Sequence, residues 1–116
     1  MNRYKELKVW QESIDLSVDI YKITRLFPTD ELYGLTSQLK RAGVSVPSNI
    51  AEGAGRSTNG EFKYFLGISN GSVCEIDTQL TIANKLNYIN IKEYENFSNR
   101  IEHIQNMIFK LQQTCK

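Results

Sequence analysis

Histidine, cysteine and paired carboxylates come first, because acid–base work, nucleophilic attack and metal binding draw on them. The chain supplies few, with one His and two Cys in 116 residues. That stock cannot complete a four-ligand zinc site of the Cys/His kind. Helical bundles can hold metals through Glu-x-x-His pairs, but the residue three before His103 is Arg100. His103 adjoins the apolar Ile104 and reads as a residue at the edge of a core. Cys74 falls within an apolar helical stripe and reads as an inert, packed thiol. Gly55-x4-Gly60 imitates the start of a phosphate-binding loop, yet Glu61 and Phe62 follow where Lys and Ser/Thr are needed. The expectation is a chain without catalytic residues, metal or cofactor.

Polar residues beside apolar stripes offer another kind of site. Asn49 adjoins Ile50, while Ser72, Glu75 and Gln79 flank the stripe Val73, Ile76 and Leu80. Polar groups at a core edge must find partners. The pattern therefore predicts a network between two helices, with Asn49 and Glu52 facing Ser72 and Glu75 and fixing register. Glu52 and Arg56 are also spaced for a local i,i+4 ion pair. Lys40, Arg41 and Arg56 are the candidate nucleic-acid or partner-binding residues. With 14 Lys+Arg against 13 Asp+Glu the net charge is only +1. A broad basic surface is thereby excluded, and a solvated face of mixed charge is the plainer reading.

The elements that must position these residues follow from periodicity. Between about Lys5 and Leu26, Leu7, Trp10, Ile14, Val18 and Tyr21 form one helical stripe, with Val9, Leu16, Ile20, Ile23 and Phe27 beside it. Phe27-Pro28 stops this helix, and Thr29 or Asp30 is placed to cap the next. A second helix carries Leu32, Leu35, Leu39, Ala42, Val46 and Ile50, kinked at Pro47 but unbroken in phase. Gly53 and Gly55 end it, with a glycine free to turn left-handed. Thr58 and Glu61 cap a third helix bearing Phe62, Phe65, Ser69, Val73, Ile76, Leu80 and Ala83. Gly67 and Gly71 within it imply close approach of a neighbouring backbone. Asn90 and Glu93 cap a fourth, with Tyr94, Phe97, Ile101, Ile104, Ile108, Leu111 and Cys115 alternating by three and four. Short joints make neighbours antiparallel, so the predicted fold is an all-α, up-down-up-down four-helix bundle, one domain over 1–116. The polar N-terminus and the absence of any apolar run near the ~20 residues of a membrane span predict a cytoplasmic chain with no membrane partner.

Several stretches together resemble a known family. They are Leu7-Lys8-Val9-Trp10-Gln11, Phe27-Pro28-x-x-Glu31-Leu32-Tyr33-Gly34-Leu35, Gln38-Leu39-Lys40-Arg41-Ala42 and Ser45-Val46-Pro47-Ser48-Asn49-Ile50-Ala51-Glu52-Gly53-x-Gly55-Arg56. The third helix adds Phe65-Leu66, Gly71-Ser72, Glu75 and Gln79-Leu80. The chain resembles the bacterial four helix bundle proteins, whose members include proteins encoded by intervening sequences of large-subunit ribosomal RNA genes. The resemblance implies an antiparallel bundle that assembles into a ring-like homo-oligomer, a pentamer. A related branch, the accessory proteins of diversity-generating retroelements, binds nucleic acid and a reverse transcriptase through a basic surface, from which this near-neutral chain departs. The two apolar stripes and the indole of the first helix fit self-association, being more than a monomer readily hides. Two functional expectations follow. The first is a ring that presents Lys40, Arg41 and Arg56 to RNA or DNA, or to an RNA-associated partner. The second is a protein-interaction scaffold without nucleic-acid affinity.

Overall fold

Each helix turns one apolar flank inward, and the flanks meet in a single core in the computed structural model, which describes residues 3–115. The helices are α1 (Lys8–Thr24), α2 (Leu35–Ala54), α3 (Asn59–Lys85) and α4 (Ile91–Thr114). They pack in sequence, α1 on α2, α2 on α3 and α3 on α4, and α4 closes back onto α1. This is the four-helix bundle expected, drawn out to 43 × 24 × 20 Å. Its long dimension matches α3, whose 27 residues span about 40 Å at 1.5 Å each. Leu16, Ile20, Leu39, Val46, Ile50, Leu66, Val73, Ile76, Leu80, Ile104 and Ile108 are the most deeply buried of its large apolar side chains.

α1 is shorter than its periodicity suggests. Leu7 is extended (φ −70, ψ 125) and separates the helix from a 3-10 turn at Tyr4–Glu6. The Tyr4 ring meets Trp10 edge-on at 5.5 Å. Of the two apolar stripes, the one from Val9 to Phe27 faces the core. The other runs along the side, with Trp10 and Ile14 half-buried and Val18 and Tyr21 exposed.

α2 begins at Leu35, three residues later than expected. Thr29 and Asp30 lie in a 3-10 turn, Thr29–Glu31, and cap nothing. Gly34 (φ −115, ψ −114) interrupts the backbone, and the Glu31 carboxylate accepts the Leu35 N–H at 3.1 Å instead. A carboxylate at this point satisfies an orphan donor and opposes the positive end of the helix dipole. Leu32 is thus left outside the helix and exposed. The helix then runs unbroken through Pro47.

Close backbone approach occurs at different glycines from those expected. A Cβ on Gly53 would lie 2.7 Å from Phe65 Cβ and 3.3 Å from the Phe62 carbonyl, so α2 and α3 touch there. On Gly43 it would meet Ile20 of α1 at 3.3 Å. Gly71 has nothing within 4 Å, and Gly67 only the tip of Gln112. Gly55 closes α2 in the right-handed region (φ −83, ψ −5). Left-handed backbone appears among the described residues at Asn87 alone (φ 63). There Tyr88 N–H reaches the Ala83 carbonyl and Asn87 N–H that of Asn84, a Schellman termination of α3.

The predicted caps of α3 and α4 are both present, with one difference. Asn90 and Glu93 bond each other reciprocally at 2.8 Å in both directions. Thr58 accepts the Glu61 N–H at 3.1 Å, but the Glu61 carboxylate takes the Thr58 hydroxyl rather than its backbone N–H.

Candidate functional site

The few chemically capable residues lie apart. His103 Nε2 sits 3.1 Å from Glu12 Oε2 on an exposed stretch between α4 and α1. Cys74 is exposed rather than packed, one position off the inward stripe, and its sulfur accepts the Gln105 amide at 3.5 Å. Among the described residues no group of three or more His, Cys, Asp or Glu converges as a metal site would.

The three candidate basic residues do not share a face. Lys40 lies on the α1 side of α2, its Nζ 5.1 Å from the centre of the Tyr21 ring. Arg41, one residue and about 100° further round, lines the opposite groove, between α2 and α3. Arg56 lies beyond the end of α2, roughly 20 Å along its axis from Arg41. It is occupied by Glu52 at 3.6 Å and Glu61 at 3.7 Å and stacks over Phe65 at 4.9 Å. Both ion pairs are solvent-exposed and hold a side chain in place more than they stabilise the fold.

The polar network exists with a different membership. Ser45 is its hub: its Oγ accepts the Asn49 amide at 2.9 Å and the Ser72 hydroxyl at 2.8 Å. Asn49 also donates to the Ser45 carbonyl, and Ser69 donates to the Val46 carbonyl at 2.8 Å. Asn49 and Ser72 are therefore joined across the helices, as predicted, but through an unpredicted third residue. Glu52 points away to Arg56, and Glu75 makes no bond to the network. Glu75 instead lines the groove that contains Gln38, Arg41, Ser45, Ser72 and Gln79, a cavity of ≈ 380 Å³. The sign of this groove in the sequence is a second, polar stripe on α2, where Gln38, Arg41, Ser45, Asn49 and Glu52 step by three and four like the apolar one. Ser45 is chemically the plainest of the five, and its position, not its type, makes it the hub.

Two apolar surfaces lie on opposite sides of the bundle. On the α1/α2 side, Val18, at 47% exposure, stands with Tyr21 and Val44 beside the contact at Gly43. On the α3/α4 side, Gly67 and Gly71 leave α3 bare, and Tyr64, Ile68 and Gln112 border a depression of ≈ 540 Å³. Phe109, 60% exposed, shares a face of α4 with Gln105 and Gln112, both of which reach across to α3.

Comparison with known proteins adds a family and a fold. The sequence matches, over residues 5–110, the family model described as 23S rRNA-intervening sequence protein. No curated protein matches it. Among solved structures, a protein of unknown function from the S23 ribosomal protein family of Bacteroides thetaiotaomicron VPI-5482 shares the architecture with a TM-score of 0.84. The two are 21% identical over 91% of this chain and 96% of that one, so the likeness speaks for the fold. Among the described residues no helix is long and apolar enough to cross a membrane.

Proposed function

The chain belongs to the 23S rRNA-intervening sequence protein family, and on that premise we propose that it is a non-enzymatic, homo-oligomeric bundle working as a protein-interaction scaffold. Five subunits in a ring is the assembly its family resemblance implies. One observation carries the reading: two dissimilar apolar surfaces, Val18/Tyr21/Val44 and Tyr64/Gly67/Gly71/Phe109, lie back to back on α1/α2 and α3/α4. A two-fold dimer needs one self-complementary patch, whereas a closed ring needs two different patches that fit each other. The glycines support the same reading. Each costs about 1 kcal/mol of helix propensity against Ala, with no intrachain packing at Gly71 to offset it.

The test uses one charged substitution on each surface, both at exposed positions. Val18→Glu and Gly71→Glu are each expected to give folded monomers by sedimentation velocity. Mixed together they retain one intact patch apiece and should form a 1:1 heterodimer that grows no further. A monomeric wild-type chain, or variants that stay monomeric when mixed, would refute head-to-tail assembly.

The basic-face reading rests on Arg41, since Lys40 and Arg56 are engaged elsewhere. Its mark would be RNA binding that falls steeply with salt and weakens on Arg41→Gln.

A further inference from the structure

The groove between α2 and α3 holds polar groups that the fold itself leaves unmet. Gln79 is 8% exposed, and its Oε1 is buried with no hydrogen-bond partner. Its amide nitrogen makes only a long bond, 3.4 Å, to Gln38 Oε1. A buried acceptor without a donor loses its hydration and gains nothing in return. Arg41 and Glu75 line the same groove with opposite charges. Yet among the described residues no carboxylate lies within 4.0 Å of Arg41 and no cation within 4.0 Å of Glu75. Ser45 Oγ accepts two hydrogen bonds, so its own proton remains to be given.

These groups define a complement. A plain anion would meet Arg41 but be repelled by Glu75, and a plain cation the reverse. A metal ion would find a single carboxylate. A nucleobase would find no aromatic ring to stack on, because the lining is Gln, Arg, Ser, Ser, Glu and Gln. A small molecule carrying both charges a few bonds apart satisfies all of them. We propose that the groove binds free α-amino-acid zwitterions, with the carboxylate on the Arg41 guanidinium and the ammonium on the Glu75 carboxylate, the Gln79 amide turning its buried Oε1 into the groove to accept from it. A volume of ≈ 380 Å³ suits a ligand of that size. One subunit supplies every group, so the inference is independent of the ring.

The experiment titrates the full chain with the proteinogenic L-amino acids up to about 10 mM, following the Gln38 and Gln79 side-chain amides by NMR. The N-acetyl and carboxamide forms of each hit serve as controls. At least one amino acid should shift both amides, and loss of either charge from the ligand should weaken binding by about tenfold or more. Arg41→Gln and Glu75→Gln, both at exposed positions, should each cause a similar loss with melting unchanged. The inference is overturned if no amino acid moves the Gln79 amide, or if the blocked forms bind as well as the free ones.

Discussion

Glu31 uses each of its carboxylate oxygens on a different part of the chain. Oε1 accepts the Leu35 N–H that opens α2, and Oε2 accepts the Tyr88 hydroxyl at 2.8 Å from the joint between α3 and α4. Phe27 packs its ring 5.3 Å from that of Tyr88, so two joints at one pole are pinned together. The hydrogen bond to Glu31, then burial, then the charges of Glu31 and Asp30 raise the Tyr88 phenol above its ordinary 10.0. Because the shift is upward, the fold favours the neutral phenol. The bond's contribution is whole below pH 10 and is lost as pH climbs through the raised value. In an ultraviolet absorbance titration a phenol that ionises above pH 10 should vanish in Tyr88→Phe. The stability gap between wild type and this variant should hold steady at neutral pH and narrow in alkali; a gap that widens in alkali would contradict the assignment.

At the scale of the helix, what was legible in the sequence was what is settled locally. Asn90 and Glu93 lie three residues apart and close their box within one turn, so their spacing sufficed to place the start of α4. The start of α2 was not legible, because Glu31 is held by a residue 57 positions away. Leu32 keeps the helical phase and still lies outside the helix. Glycines show the same limit: their type signals a permissive backbone, but only packing reveals that Gly53 is crowded and Gly71 open. Two substitutions separate these cases. Asn90→Ala should lower stability by about 1 kcal/mol through loss of the cap. Gly71→Ala should raise that of the isolated subunit by about 1 kcal/mol, since the new methyl meets nothing in its own chain. Urea unfolding of dilute protein measures both, and a destabilising Gly71→Ala would mean that α3 needs flexibility there.

Over the whole molecule, the bundle could be read from four apolar stripes, whereas the site could be read only in part. Asn49 and Ser72 were recognisable as polar residues beside a core. Their link through Ser45, and the departure of Glu52 towards Arg56, depend on how α2 and α3 are rotated against each other. That rotation is fixed along much of the pair. Gly53 admits Phe62 and Phe65, Ser69 reaches the Val46 carbonyl, and Ser72 reaches Ser45. The consequence is kinetic. Residues joined by so short a turn close their loop cheaply, so α2 and α3 should zip first and offer α1 and α4 a template. Gly53→Ala, with a methyl forced against Phe65, should destabilise by about 1–3 kcal/mol. Most of that loss should appear as slower refolding in a stopped-flow chevron. Asn90→Ala, in the late-docking helix, should chiefly hasten unfolding. Equal slowing of refolding by both would mean that all four helices condense in one step.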